Sequence, residues 1–376
     1  MIVGIDGNEA NIVRRVGVNT YAYEVLKQLH RIGSKKDSGY SFVVYLREKP
    51  LEHMPREGFH WKYRVLHGGG MWVIRKLMPH LILNRDKCEI FWSPNHYLPP
   101  ICPIPMICSV MDLGYLEFSE QFRKKDFWQL KYWTAISLIV SKYIISISKA
   151  TCEDIVRHYP FVRNKVVIIR LGYDKKTYDG IVSTKDVRRV MRKYSIVSDY
   201  ILYLGTLKPS KNIDGLVRAW AKVEKDNPKT VLVIAGKKGW LYESIYRQVE
   251  RLNLVKRVVF TDFVDEEDKR CLIGGAKGFV APSYWEGFGL DVVSAMASGV
   301  AVVVSDRGSL PEVVGRAGIY VDPEDDESIS RGISKLLGMS KKEYNIRVQE
   351  GMAQASKFSW EETARGTLEV FERCRK

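Results

Sequence analysis

Short, almost wholly apolar runs recur along the chain, each closed by a glycine or a polar elbow and most followed by a stretch of helical spacing. A first set comprises Ile2-Val-Gly-Ile5, Tyr40-Ser-Phe-Val-Val-Tyr-Leu46, Glu89-Ile-Phe-Trp92, Pro105-Met-Ile-Cys-Ser-Val110, Tyr143-Ile-Ile-Ser-Ile147 and Val166-Val-Ile-Ile169. A second set starts at Tyr200-Ile-Leu-Tyr-Leu204. It continues through Val231-Leu-Val-Ile-Ala235, Val258-Val-Phe260, Gly278-Phe-Val-Ala281 and Ala301-Val-Val-Val-Ser305 to Gly318-Ile-Tyr-Val321. Such runs predict buried strands, and their alternation with amphipathic stretches predicts an α/β fold. The first strand, a glycine loop and a helix from Thr20, as cap, to about His30 form a Rossmann-like opening. Gly17-Val-Asn19 lacks the full glycine fingerprint of that opening. Residues 173–199 lose the strand–helix rhythm and carry many charges, as an inter-domain linker does. At 376 residues the chain also exceeds a comfortable single core. Two domains are therefore expected, 1–172 and 200–357, with 358–376 forming a final amphipathic helix.

Two stretches break the plain alternation. In 61–83, Gly68-Gly-Gly70 precedes Met71-Trp-Val-Ile-Arg-Lys-Leu-Met78. That segment is either a mobile loop leading into an amphipathic helix or a core helix with Arg75 and Lys76 in water, which is the commoner use of such a stripe. Residues 119–142 predict one long helix on which Arg123-Lys-Lys125 and Lys131 interleave with Phe127, Trp128, Tyr132 and Trp133. This mixture suits a membrane interface or a single-stranded nucleic acid, or simply a half-buried helix with a solvated basic side.

Composition narrows the choice of partner. Hydrophobic residues make up 45% and charged residues 27%, as in an ordinary globular protein, but the formal net charge is +15. That charge implies an anionic partner: nucleic acid, an acidic membrane surface, or nucleotide and lipid phosphates. No apolar stretch is long enough to span a bilayer, since Lys142 interrupts the nearest one. The N-terminal residues have no signal-peptide pattern. The cysteines Cys88, Cys102, Cys108, Cys152, Cys271 and Cys374 show neither metal nor redox spacing, so reduced thiols in a cytoplasmic protein are expected.

The candidate chemistry gathers in two loops of the second half. Glu286 lies in Ala281-Pro-Ser-Tyr-Trp-Glu-Gly-Phe-Gly-Leu290, between a strand and the start of a helix over 290–297. Ligands of open α/β sheets bind at strand carboxyl ends, and helix N-termini attract phosphates. Ser283-x-x-Glu286 also fits a capping box, so Glu286 either meets a ligand or caps the helix. In Gly205-Thr-Leu-Lys-Pro-Ser-Lys211, Thr206, Lys208 and Lys211 stand beside a glycine, between a strand end and a helix over 213–223. A turn, a helix dipole and an ammonium together make a phosphate cradle. In the first half, Gly17 either lets backbone approach a ligand or turns the chain. His96 either orients a sugar, accepts a proton or serves the loop, and Asp112 touches a substrate hydroxyl or caps the next turn.

The two loops of the second half fall within ordered stretches that resemble the family-4 group of retaining glycosyltransferases with the GT-B fold. The stretches are Pro282-Ser-Tyr-Trp-Glu-Gly-Phe-Gly-Leu290, Ala295-Met-Ala-x-Gly299, Ser309-Leu-Pro-Glu-Val-Val-Gly315, Tyr203-Leu-Gly-Thr-Leu-x-Pro-x-Lys-Asn212 and Ile234-Ala-Gly-Lys-Lys-Gly-Trp-Leu-Tyr-Glu243. The resemblance implies two Rossmann-like, doubly wound domains facing across a cleft, with the C-terminal helix crossing back to the N-terminal domain. It further implies that Glu286 binds donor-sugar hydroxyls while Gly287, Phe288, Gly289 and Leu290 lie against sugar and phosphate. Lys211 would neutralise the diphosphate, with Gly205, Thr206 and Lys208 beside it. Gly17 would approach the same diphosphate, and Glu312 would lie on the nucleotide side. Such chemistry needs no metal, and the sequence holds no Asp-x-Asp.

The implied activity is transfer of a mannose-like hexose from GDP-mannose or a related nucleotide-sugar to a glycan or lipid-linked acceptor. The basic aromatic stretches would touch an anionic membrane at its inner face, and nucleic acid is not an expected partner. Three positions depart from the family pattern: Ser294 replaces a ribose-binding glutamate, Met111 a histidine before Asp112, and Ser210 a basic residue before Lys211. The departures keep a second reading open, a weakened or inactive GT-B protein that binds nucleotide or glycan or partners an active transferase. Restoring the acid by Ser294→Glu is expected to strengthen donor binding.

Overall fold

The structure, a computed structural model, describes residues 1–35, 38–121, 123–180 and 182–375. Residue 122 of the expected helix 119–142, residue 181 of the expected linker and residue 376 of the final segment lie outside these. The chain divides into two compact units, Met1–Gly172 with Ser359–Lys376, and Tyr173–Phe358.

The first unit holds seven strands: β1 (Ile2–Asp6), β2 (Ser41–Leu46), β3 (Trp61–Val65), β4 (Ile90–Ser93), β5 (Met106–Val110), β6 (Tyr143–Ser146) and β7 (Val166–Ile168). Their order in the sheet is β3-β2-β1-β4-β5-β6-β7, and every pairing is parallel. The second unit holds β8 (Asp199–Leu204), β9 (Thr230–Ala235), β10 (Val258–Asp262), β11 (Gly278–Ala281), β12 (Val302–Ser305) and β13 (Gly318–Val321). Its order is β10-β9-β8-β11-β12-β13, again all parallel. β9 and β12 are buried at every position, which is why they read as unbroken apolar runs. In each sheet the chain runs outward from its first strand and then returns to that strand's other side. The strand order therefore reverses between β1 and β4, and between β8 and β11. Crevices outside the carboxyl ends of such strand pairs are where open α/β sheets bind ligands.

The terminal helix Trp360–Arg375 belongs to the first unit, where it packs on the helix Val18–Gly33 and on β4, β5 and β6. Trp92 meets Phe371 at 5.7 Å between ring centroids, and Lys142 Nζ donates to the Cys374 carbonyl at 2.8 Å. A Cβ on Gly172 would stand 2.0 Å from the Trp360 nitrogen, so only glycine allows this approach.

Several expectations need correction. Residues 173–199 are not a linker: they carry the helices Lys175–Tyr178 and Thr184–Lys193 and are part of the second unit. Arg189 and Lys193 hold the buried Asp268 at 3.1 and 2.5 Å, so long-range charge contacts supply what the local apolar pattern lacks. The first helix is capped by Gly17 rather than Thr20, and it extends to Gly33. The expected helix over 119–142 is interrupted, with a short turn Ser119–Gln121 before the helix Lys124–Val140. The stretch after Gly70 takes the core-packing alternative: Trp72, Val73 and Leu77 are buried while Arg75 and Lys76 are exposed.

Candidate active site

Glycine geometry builds the crevice at β8. Gly205 leaves β8 with φ +154° and Gly236 leaves β9 with φ +145°. A Cβ on Gly236 would stand 1.9 Å from the Gly205 carbonyl oxygen, so the two strand ends can meet only with glycine at 236. The Leu207 amide then donates to the Lys237 carbonyl, and the Gly239 amide to the Leu207 carbonyl, each at 2.9 Å. After a 3-10 turn at Pro209–Lys211 the chain enters the helix Ile213–Val223 through Asn212, which is left-handed at φ 53°. The Asn212 side chain accepts from the Gly215 amide at 3.2 Å and donates to the Pro323 carbonyl at 2.6 Å. Lys211 is thereby fixed at its base.

The loop after β11 is pinned on three sides. The Tyr284 amide donates to the Ser210 carbonyl at 3.0 Å, and the Ser305 hydroxyl donates to the Ser283 carbonyl at 2.6 Å. The Glu286 carbonyl accepts from the Ser309 amide and hydroxyl at 3.1 and 3.0 Å. Gly308, at φ +60°, passes so close that a Cβ would lie 2.7 Å from the Glu286 oxygen. Phe288 is buried against Phe358 at 5.4 Å between centroids, which leaves backbone as its contribution to the crevice. The helix Leu290–Ala297 then starts from Gly289, left-handed at φ 89° and without a side-chain cap. The capping alternative for Glu286 therefore fails. Ser283 Oγ does donate to Glu286 Oε1 at 3.1 Å, but the helix begins four residues later.

What Glu286 meets instead is Lys211. Nζ lies 2.5 Å from Oε1, with the side chains 16% and 17% exposed. A half-buried ion pair is a weak source of stability, because desolvating both charges offsets much of their attraction. It does hold an ammonium and a carboxylate ready at one point, where a phosphate and a hydroxyl could replace each as the other's partner. Lys208 Nζ lies 5.3 Å from the Trp240 ring centroid. The Thr206 carbonyl accepts from Tyr203 at 3.4 Å, and Glu312 sits in the first turn of the helix Leu310–Val314, directly after Ser309.

Ser294 does not join them. Its hydroxyl donates to the Leu290 carbonyl one turn back at 3.1 Å, and the buried Tyr178 hydroxyl lies against it. Sequence reasoning missed Tyr178, and with it Asp291 in the first turn of the same helix. Burial pushes the Asp291 carboxyl up to about 6, with Glu286 and Glu266 adding to the effect while Lys269 and Lys211 oppose it. Asp291 was already in view next to the Glu286 loop, but nothing local distinguished it from a helix-start acid.

In the first unit, His96 follows β4 and Asp112 follows β5, and the charge of Asp112 acts on His96. Burial pushes the His96 imidazole down to about 4 against the pull of Asp112, and Nε2 is buried without a hydrogen-bond partner. Asp112 Oδ1 accepts from the Gly114 amide at 3.0 Å, as a turn cap. The Met111 carbonyl accepts from Thr151 Oγ1 at 3.3 Å. Among the described residues nothing stands within 4 Å of a Cβ built on Gly17. Near these ends Glu9 accepts from Asn19 at 2.6 Å and Asn95 at 3.3 Å, a network the sequence did not announce. The helix Lys124–Val140 exposes Trp128, Tyr132, Ile136 and Ile139 along one side, with Trp128 and Tyr132 stacked at 5.3 Å and Lys131 over Trp128 at 5.1 Å. Among the described residues no helix is long and apolar enough to cross a membrane, and no cluster of three or more His, Cys, Asp or Glu could hold a metal.

The geometry can be set beside known proteins. Residues 191–350 match the family model described as glycosyl transferases group 1. The chain is similar to O-antigen chain mannosyltransferase B of Escherichia coli, at 29% identity over 98% of this chain and 96% of that protein. Its fold is similar to sucrose-phosphate synthase from Thermosynechococcus elongatus, with TM-score 0.74 and 20% identity over 99% of this chain and 98% of that one. It is also similar to Anabaena HepE solved with UDP and glucose, with TM-score 0.75 and 16% identity over 99% of both chains.

Proposed function

We propose that this chain, a hexose-transferring group 1 glycosyltransferase with two Rossmann-like GT-B domains, moves mannose from GDP-mannose, with retention of anomeric configuration, to a growing polysaccharide or lipid-linked glycan. The observation that carries the assignment of the donor site is the Lys211–Glu286 pair at the β8–β11 reversal. Breaking a sugar–diphosphate bond develops negative charge on the departing phosphate and positive character at the anomeric carbon. Lys211 and the uncapped start of the helix Leu290–Ala297 are preorganised for the first, with no reorganisation at the moment of reaction. Glu286 accepts hydrogen bonds from hexose hydroxyls, released from Lys211 as the phosphate takes its place. Gly205, Thr206 and Lys208 line the phosphate side, and the backbone of Gly287, Gly289 and Leu290 lies against the sugar. The reaction proceeds without a metal, since the lysine and the helix start supply the positive potential.

His96 and Asp112 serve the acceptor side of the first unit, where a neutral imidazole can accept a hydroxyl proton. The exposed face of the helix Lys124–Val140 rests on an anionic bilayer that carries the acceptor: aromatic rings suit the interface, and Lys124, Lys125 and Lys131 suit its charge. The similarity to an O-antigen mannosyltransferase over nearly the whole chain supports this choice of donor and acceptor.

The test is transfer of radiolabelled hexose from GDP-mannose, UDP-glucose and dTDP-rhamnose to membrane-extracted lipid-linked glycan. Transfer from GDP-mannose, with the α-anomer retained in the product, is expected. Binding of a nucleotide without transfer from any donor would leave only the non-catalytic reading.

A further inference from the structure

The charges of residues 173–199 serve two different ends. On the helix Thr184–Lys193, Val190 is buried, and Arg189 and Lys193 hold Asp268 of the helix Glu266–Gly274, which packs alongside. Lys185, Arg188 and Arg192 follow one another at spacings of three and four, which sets them in one row on a helix. All three are exposed, and among the described residues none of them closes an ion pair. The row borders a groove. The helix ends through Ser195, left-handed at φ 57°, and the Ile196 amide donates back to the Met191 carbonyl at 2.8 Å. That turn buries Ile196 and leaves Val197 90% exposed. Met191, Ile196 and Val197 supply the apolar lining of an open groove of about 840 Å³, and Lys185, Arg188 and Arg192 supply its charge. Among the described residues no carboxylate and no aromatic ring lines it.

Three uncompensated cations call for an anion, and the lining decides which kind. A free phosphate gains nothing from three apolar side chains. Single-stranded nucleic acid needs rings on which its bases stack, and none is there. An anionic lipid uses both halves of the groove, its phosphate on the cations and its upper methylenes on the apolar side chains. Lysine and arginine suit that boundary, because their stems lie along apolar groups while the charge stays in water. We infer that this groove is a contact of the second unit with an anionic lipid surface, separate from the exposed aromatic face of the helix Lys124–Val140 in the first unit. The groove shares no residue with the donor site, so its role does not depend on which nucleotide-sugar binds there.

The full chain would be co-sedimented with vesicles of phosphatidylcholine, alone or mixed with phosphatidylglycerol. The proteins compared are wild type, Lys185→Gln/Arg188→Gln/Arg192→Gln, Val197→Ser and Trp128→Ser/Tyr132→Ser. Each cation near an anionic surface is worth roughly fivefold in binding, so the triple variant should bind the mixed vesicles at least roughly tenfold more weakly, with an unchanged melting temperature. Val197→Ser should weaken binding by roughly threefold, since less apolar surface leaves water. Trp128→Ser/Tyr132→Ser should keep a residual binding that still rises with phosphatidylglycerol and is lost when the triple substitution is added. Hydrogen exchange on wild type should slow over 184–197 with the mixed vesicles only. A triple variant that binds as wild type does, or exchange over 184–197 that the vesicles leave unchanged, overturns the inference. So do cations that matter for a single-stranded oligonucleotide and not for vesicles, which would make nucleic acid the partner of the groove.

Discussion

An ionised Asp291 should cost the protein stability, and the cost can be worked out. The carboxyl moves from 3.8 to about 6, chiefly through burial, with Glu286 and Glu266 adding to the rise and Lys269 and Lys211 opposing it. Tyr178 and Tyr203, the other titratable groups that sense its charge, stay neutral across the range, since burial pushes both phenols up. Between pH 4 and pH 6 the native protein holds a proton that the unfolded chain releases, so stability falls as pH rises through this window. Above it the cost is complete. About two units at ~1.4 kcal/mol each give about 3 kcal/mol, reduced to roughly 2 kcal/mol because the group keeps partial contact with water. Asp291→Asn removes the charge and keeps the shape. Urea unfolding of the second unit should therefore show the variant more stable by roughly 2 kcal/mol at pH 7.5, with the gap closing toward pH 4. Asp6 and Asp154 are also raised to about 6, but both are present in each protein and cancel in the difference. An Asn variant no more stable at pH 7.5, or one equally stabilised at pH 4, would refute the argument.

Gly308→Ala forces a side chain onto a backbone at φ +60° and into the Glu286 carbonyl. The strain should cost roughly 2 kcal/mol, lowering the melting temperature by about 4–8 °C, and transfer should fall far more than stability because the Glu286 loop is displaced. Ser294→Glu, which the family pattern made attractive, should instead destabilise the protein: with Tyr178 against it the longer acid has no room, and calorimetry should record a lower melting temperature without tighter GDP binding. Replacing Trp128 and Tyr132 together by serine should weaken co-sedimentation with phosphatidylglycerol vesicles several-fold. Binding that never rose with anionic lipid would remove the membrane role from that helix.

The strands were legible because strands buried on both faces of a parallel sheet are continuous apolar runs, and a swap of period marks each end. Glu286 and Lys211 were legible because glycine, charge and helix start coincide within a few residues of one another. What was not legible depends on contacts between distant segments. The short helices of 173–199 have few apolar residues, and Arg189 and Lys193 find Asp268 only in the fold. Ser294 was legible as a departure from the family pattern, but nothing in sequence brings Tyr178 to it. The same holds for Lys269 and Asp291, each unremarkable alone.

The most direct test of the donor site is calorimetric titration of GDP and GDP-mannose into wild type, Lys211→Ala and Glu286→Gln. Lys211→Ala should lose affinity for both ligands, because both carry the diphosphate. Glu286→Gln should lose affinity for GDP-mannose alone, because only that ligand brings a hexose to the carboxylate. If both variants bind both ligands as wild type does, the donor does not sit on the Lys211–Glu286 pair.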